Sequence, residues 1–220
     1  MPLFRRQNSF TKLDASVLAA WQKIPAAVAS DCMNRAQTMS AAMKPLTPGM
    51  KICAQARTVA CMVGDNSAIH AVMRIVEPGE ALVIDGGGYA DAALWGGLLT
   101  EAAISRGVSG IVMDGASRDA AEIRELKFPC FTTSIVPAGP HKGFGGTIDG
   151  PVSCAGCCVQ SGDLVLADDD GVAIVPLAEQ KDILKASQDK LAEEAQAIED
   201  LKSGHMLADR LGIPEPTLVP

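Results

Sequence analysis

Between residues 13 and 35 the apolar positions Leu18, Trp21, Ile24, Val28 and Cys32 recur every three or four residues, the period of an amphipathic helix, which Pro25 divides in two. A turn-rich stretch, Lys44-Pro-Leu-Thr-Pro-Gly-Met50, then leads into residues 52–63, where β-branched and small apolar residues predict a strand. Residues 66–76 read as a helix ended by Pro78-Gly79. Ala81-Leu-Val-Ile-Asp85 is a continuous apolar run closed by three glycines, the signature of a buried strand feeding a tight loop. Residues 95–106 predict a helix capped by Gly107, and Gly110-Ile-Val-Met-Asp114 repeats the pattern of an apolar strand ending in an acid and a glycine. Strand, glycine loop, helix and strand in that order imply a parallel crossover unit.

A further helix is expected over residues 120–126. The chain then enters a region dense in Gly and Pro with short β-rich runs, whose strands should pair without intervening helices up to Val172-Ala-Ile-Val-Pro176. Residues 177–202 hold Ala, Glu, Lys and Leu with no Gly or Pro, which predicts a long exposed helix, and the segment after Gly204 reads as an arm. A helix and arm of this kind suggest contact with a neighbouring subunit.

With 220 residues, 48% of them hydrophobic, and no internal repeat or linker, the chain is expected to be one α/β domain over 1–220, with a core at 13–176 and a C-terminal helix and arm at 177–220. The net charge of -7 would repel a phosphate backbone or an anionic membrane surface, so neither nucleic acid nor membrane is an expected partner. No run approaches the ~18 apolar residues of a spanning helix. Gln7, Asn8 and Ser9 interrupt any hydrophobic stretch after Arg5 and Arg6, so a cytoplasmic location is expected. The seven cysteines then read as reduced thiols; Cys154, Cys157 and Cys158 form their one cluster and resemble half of a zinc site that lacks its second half.

The chain has no Gly-x-Ser-x-Gly elbow, no phosphate-binding Walker loop and no His-Glu-x-x-His, and its three histidines supply a His-based mechanism poorly. Carboxylates, arginine and backbone amides remain, concentrated at Asp85-Gly-Gly-Gly88, Gly96-Gly-Leu-Leu99 and Asp114-Gly-Ala-Ser-Arg-Asp119, where strands meet helices. Gly96 and Gly97 at a helix start would expose free N–H groups suited to a small carboxylate, or simply pack against a strand. Arg118 beside Asp119 joins a bidentate anion-binding cation to an oxygen donor for a hard cation, although the same dipeptide also occurs as a surface ion pair.

The segments Trp95-Gly-Gly-Leu-Leu-Thr-Glu-Ala-Ala, Arg106-Gly-Val-Ser-Gly-Ile-Val-Met-Asp-Gly-Ala-Ser-Arg-Asp119, Phe128-Pro129 and Gly162-Asp-Leu-Val-Leu-Ala-Asp-Asp-Asp-Gly-Val-Ala-Ile-Val-Pro176 stand in fixed order. They resemble the family of the class II 4-hydroxy-4-methyl-2-oxoglutarate / 4-carboxy-4-hydroxy-2-oxoadipate aldolases and the regulator of ribonuclease activity A, the RraA-like proteins. The resemblance implies a swivelling β/β/α domain, assembled as a homotrimer or homohexamer, acting on a small 2-oxoacid with Mg2+, Mn2+ or another divalent metal. It implies that Asp119 binds the metal and that Arg118 binds the pyruvyl part and steadies its enolate. The substrate carboxylate would be held at Gly96, Gly97, Leu98 and Leu99, through the Leu98 and Leu99 amides. It further implies a glutamate from the C-terminal helix of the adjacent subunit: Glu194, with Glu193 as second choice. The products would be pyruvate and a second carbonyl compound, with no Schiff base, and oxaloacetate decarboxylation would pass through the same enolate.

One position departs from the family pattern: the acid that commonly precedes Leu98-Leu99 is Gly97, and Glu101, on the same helix face, could replace it only in part, since it stands one turn, about 5–6 Å, further on. Two other activities occur among such proteins. A regulator that binds and inhibits a ribonuclease would lack the C-terminal extension present here, and a demethylmenaquinone methyltransferase would need a nucleotide-binding loop that Gly143-Phe-Gly-Gly146, after a Pro loop, does not resemble.

Overall fold

The computed structural model describes residues 2–219. It begins with strand β1 (Leu3–Arg5), helices α1 (Ala15–Trp21) and α2 (Ala26–Cys32), strands β2 (Lys44–Pro45) and β3 (Ile52–Cys61), and helix α3 (Ser67–Val72). Next come β4 (Ala81–Asp85), β5 (Ala93–Trp95), α4 (Gly97–Ser105), β6 (Gly110–Ser117), α5 (Ala120–Glu125) and β7 (Cys130–Ile135). The last part holds β8 (Gly146–Ile148), β9 (Val152–Cys154), β10 (Cys157–Val159), β11 (Leu164–Asp168), β12 (Gly171–Val175), a 3-10 turn at Leu177–Glu179, α6 (Gln180–Lys202) and α7 (Leu207–Arg210).

The sheet runs β1-β8-β3-β4-β6-β7-β2, and its centre is parallel: Ala81 to Asp85 of β4 stand beside Gly110 to Asp114 of β6. The long strand β3 serves two layers. Its second half pairs with β4, while its first half pairs antiparallel with β11, which continues into β12. Apolar side chains on the two sides of this branch make two cores. The larger surrounds Leu82, Ile84, Ile111, Met113 and Phe131; the smaller closes α1, α2 and α6 over β11 and β12 through Trp21, Val28, Leu164, Val175 and Ile183. This is the α/β domain with a long C-terminal helix that the sequence predicts. Among the described residues no helix is long and apolar enough to cross a membrane.

Residues before α1 belong to this fold. β1 pairs parallel with β8, and the Arg5 Nε bonds Asp149 Oδ2 at 2.8 Å. Asp149 also accepts from Arg57 at 2.7 Å, and Arg57 grips Glu80 through two bonds of 2.6 and 2.7 Å. Arg57, Glu80 and Asp149 are all buried, and the Phe10 ring covers the Arg57 guanidinium at 5.7 Å. These charges are tolerable inside because they are paired bidentately and hydrogen-bonded.

Three expectations are corrected. Trp95 ends a short strand instead of opening a helix, so α4 starts at Gly97. β6 runs on through Gly115 to Ser117, where the glycine suggested a loop; β5 and β7 flank this extension and supply its ladder partners. Helix α3 stops at Val72, short of the expected 76, and the following residues turn toward Pro78.

Candidate active site

Three chain segments meet at the carboxyl ends of β5 and β6. Trp95 O accepts the Arg118 N–H at 2.9 Å, which locks the ends of these strands together. Gly96 is extended, and its role is spatial: a Cβ there would stand 2.6 Å from Asp119 Oδ2 and 3.1 Å from Arg118 Cγ. Gly97 opens α4 and donates its N–H to Asp119 Oδ2 at 3.0 Å. The next two amides, of Leu98 and Leu99, have no acceptor among the described residues, as expected in the first turn of a helix. The Leu98 side chain is 88% exposed at the lip of the cleft, while Leu99 is buried.

Asp119 adopts the left-handed conformation, φ 55°, as the N-cap of α5. That turn brings its carboxylate back over Gly96 and Gly97, within 3.5 Å of the Arg118 Nε. Both side chains are about two-fifths exposed and face a cleft of about 120 Å³. Opposite them the guanidinium rests on Gly139, where a Cβ would come within 2.7 Å of Nη1. Arg118 thus lies between two glycines, in a partly exposed ion pair with Asp119.

The Gly97 departure has a structural counterpart that was not expected. A Cβ at Gly97 would overlap the carboxylate of Glu122, on the first turn of α5. Glu101, a full turn further along α4, is exposed and has no hydrogen-bond partner among the described residues. The Glu122 carboxylate therefore fills the space that a side chain at position 97 would enter. Its trace in the sequence is the spacing Arg118-Asp119-x-x-Glu122, which puts Glu122 on the Asp119 side of the helix.

The far wall, which the sequence did not single out, is formed by Asn66, His70 and Lys142. Asn66 donates to Leu94 O at 3.0 Å, and its buried Oδ1 has no partner among the described residues. Desolvation, aided by the charge of Lys142, pushes the His70 pKa below its ordinary 6.5 against the pull of Asp65, so the ring is neutral at pH 7. Glu194 lies elsewhere. On α6 it pairs with Lys190 at 3.4 Å, and no residue of α6 lines the cleft of its own chain. The Glu193 side chain is exposed, and its carbonyl accepts from Arg210.

Cys154 and Cys157 face each other across the β9–β10 hairpin; burial raises both thiols, Cys157 to about 11, and Cys158 points outward. Among the described residues, no three His, Cys, Asp or Glu side chains are grouped to hold a metal.

The aldolase/RraA model of the RraA-like family matches residues 26–174. A Halalkalibacterium halodurans protein provisionally named 4-hydroxy-4-methyl-2-oxoglutarate aldolase is 30% identical over 200 residues, covering 91% of this chain and 95% of its own length. A Thermus thermophilus protein named 4-hydroxy-4-methyl-2-oxoglutarate aldolase is 35% identical over 112 residues, 51% of this chain and 68% of the relative. The crystal structure of Streptomyces coelicolor RraAS2, described as an unusual member of the RNase ES inhibitor RraA protein family, superposes with a TM-score of 0.78 at 29% identity, covering 86% of this chain and all (100%) of that one. The chain is a member of the RraA-like aldolase/RraA family.

Proposed function

We propose that this protein is a divalent-metal-dependent, pyruvate-forming aldolase for substrates of the 4-hydroxy-4-methyl-2-oxoglutarate or 4-carboxy-4-hydroxy-2-oxoadipate type, with oxaloacetate decarboxylation as a second reaction. The observation that carries this reading is the convergence of Leu98 and Leu99, whose amides are unpaired among the described residues, with Arg118 and Asp119 on one cleft, with the Glu122 carboxylate against Gly97 next to it.

The donor set suits a hard cation. Mg2+ commonly takes one or two carboxylates and fills its remaining positions with water and substrate oxygens. Asp119 Oδ1 and both Glu122 oxygens have no hydrogen-bond partner among the described residues, and carboxylate oxygens favour a hard ion. Asp119, with Glu122 beside it, would hold Mg2+, Mn2+ or a similar ion, which when bound polarises the carboxylate and 2-oxo oxygens of the substrate.

The chain's own groups divide the remaining work. The Leu98 and Leu99 N–H groups, at the positive end of α4, hold the carboxylate. Arg118 directs its planar fork at the 2-oxo oxygen, where negative charge grows as the bond between carbons 3 and 4 breaks and pyruvate enolate departs. Glu122 is placed to steer removal of the proton from the distal hydroxyl. Asn66, His70 and Lys142 face the distal part of the substrate, and Lys142 offers a positive charge to a second carboxylate.

Purified protein with Mg2+ or Mn2+, assayed for pyruvate release from 4-hydroxy-4-methyl-2-oxoglutarate, 4-carboxy-4-hydroxy-2-oxoadipate and oxaloacetate, tests the reading. EDTA should stop turnover. No release from any of the three, together with inhibition of a ribonuclease, would replace the enzyme by a regulator. Borohydride added with pyruvate should leave Lys142 unmodified; a trapped adduct would point to Schiff-base chemistry.

Two further results are expected. Glu122→Ala should cost roughly 10²-fold in kcat, the lower end for a positioned acid or base. Gly97→Asp alone should also lose activity, because the new carboxylate meets that of Glu122. The double variant, which moves the acid from α5 to α4, should recover part of the loss; a double variant no better than Gly97→Asp alone would show that the two positions are not equivalent.

In a homotrimer or homohexamer, Glu194 would complete the site of a neighbouring subunit, since it is exposed and remote from its own. Glu194→Ala should then lower activity with little change in stability, an exposed helical Glu→Ala costing only tenths of a kcal/mol, roughly. Mixing inactive Asp119 and Glu194 variants should restore some activity. Proven subunit exchange without rescue would rule out the shared site.

A further inference from the structure

The amides of Leu98 and Leu99 can select a carboxylate only if they point in a fixed direction, yet two consecutive glycines precede them, the residues least able to fix a backbone. The usual device is absent, because the N-cap of α4 is Gly96 and has no side chain to bond the first turn. What holds the turn from inside is Thr100. Its backbone N–H donates to Gly96 O at 3.0 Å and its hydroxyl donates to the same oxygen at 3.1 Å. The indole Nε1 of Trp95 donates to that hydroxyl at 2.8 Å, so the hydroxyl proton is left to Gly96 O.

This relay is dry and anchored. Thr100 is 0% and Trp95 1% exposed, and the indole stacks on buried Phe128 with centroids 6.1 Å apart and planes within 6°. On the outer side Gly97 N is held by Asp119. The turn is clamped from both sides, and only the inner clamp is free of groups assigned to the chemistry.

We infer that Thr100, oriented by the Trp95 indole, is a positioning residue that aims the Leu98 and Leu99 amides at the carboxylate of the ligand. The inference rests on the proposed carboxylate-binding role of that turn and adds the device that makes the turn selective. Thr100 touches no substrate. It acts on binding of the carboxylate more than on breaking of the carbon–carbon bond.

The test compares Thr100→Val, which keeps the shape and removes the hydroxyl, with Thr100→Ser, which keeps the hydroxyl, and with Trp95→Phe, which removes the indole donor alone. Two readouts are used on the full chain with Mg2+: KM and kcat for pyruvate release, and calorimetric affinity for oxalate, a non-reacting dicarboxylate. Thr100→Val should weaken oxalate and raise KM about tenfold, the scale of one lost orienting hydrogen bond, with kcat within about threefold. Thr100→Ser should return both to within about threefold of the parent, and Trp95→Phe should fall between them, giving a reading even if the valine variant does not fold.

Equal losses of thermal stability in the valine and serine variants with unchanged KM and oxalate affinity would overturn the inference, as would a loss confined to kcat. A parent protein that binds oxalate but releases no pyruvate would end the aldolase reading while the oxalate series still decides the role of Thr100. A parent protein that binds no oxalate would overturn the inference with the carboxylate site itself.

Discussion

Asp119→Asn is expected to leave a fully folded protein with activity reduced by about 10³-fold or more, the largest effect of any single change in the chain. Asparagine separates chemistry from folding here. Asp119 sits at φ 55° and accepts the Gly97 N–H, and an asparagine tolerates the left-handed backbone and can offer its amide oxygen to the same donor. What it cannot offer is a negative charge to a divalent cation. Asp119→Ala should be as inactive, and it should also unfold more readily by about 1–2 kcal/mol, since alanine pays the left-handed penalty and leaves the Gly97 N–H without its acceptor. Metal titration monitored by calorimetry, beside the activity assay, checks the assignment: an asparagine variant that binds Mg2+ with parent affinity and turns over normally would remove Asp119 from the site.

Arg118→Lys should lose about 2–4 kcal/mol of transition-state stabilisation, although the charge is retained. The physical reason is the slot the guanidinium occupies. Gly96 closes on its stem, with a virtual Cβ 3.3 Å from Nε, and Gly139 closes on Nη1 from the other side. A flat group fits between two glycines and presents two parallel donors; a tetrahedral ammonium on a flexible stem does neither. The loss should fall on kcat/KM, and guanidine added to Arg118→Gly should recover part of it. A lysine variant within threefold of the parent would show that the fork is not used. Gly139→Ala, which pushes on the guanidinium without touching its charge, should reproduce the direction of the effect at smaller size.

The parts of this site that could be read from the chain and the parts that could not differ in a physical way. Arg118, Asp119 and the α4 start are adjacent in sequence to strong local signals: an apolar strand, paired glycines and an acid at a helix entry. Glu122 was hidden because its meaning depends on Gly97, 25 residues earlier, and a contact across α4 and α5 has no local signature. Asn66 and His70, at the start and in the last turn of α3, meet Lys142 of the segment before β8 through the pairing of β3 with β8, which periodicity does not reveal. The same limit applies to the fold. The central parallel strands announced themselves as apolar runs, while β5, at three residues, is too short to show alternation, and the continuation of β6 through Gly115 is decided by its neighbours on both sides. The Cys154 to Cys157 spacing belongs to a hairpin whose two-residue turn, Ala155 and Gly156, has positive φ at both positions, the geometry that suits strand twist.

The buried cluster at Arg57 bears on where a minimal version of this domain can begin. The span matched by the family model starts at residue 26, but the cluster is completed from residues well before it. With Arg5 in place, two arginines face two carboxylates; without it, Arg57 alone must serve Glu80 and Asp149, and one negative charge is left over at the edge of the core. Phe10, which shields the guanidinium and fills the space over Gly162, would go as well. A gene trimmed at its start to residue 26 would therefore encode a chain that keeps every group of the cleft and of α6 but lacks part of the interior, and its inactivity would say nothing about catalysis.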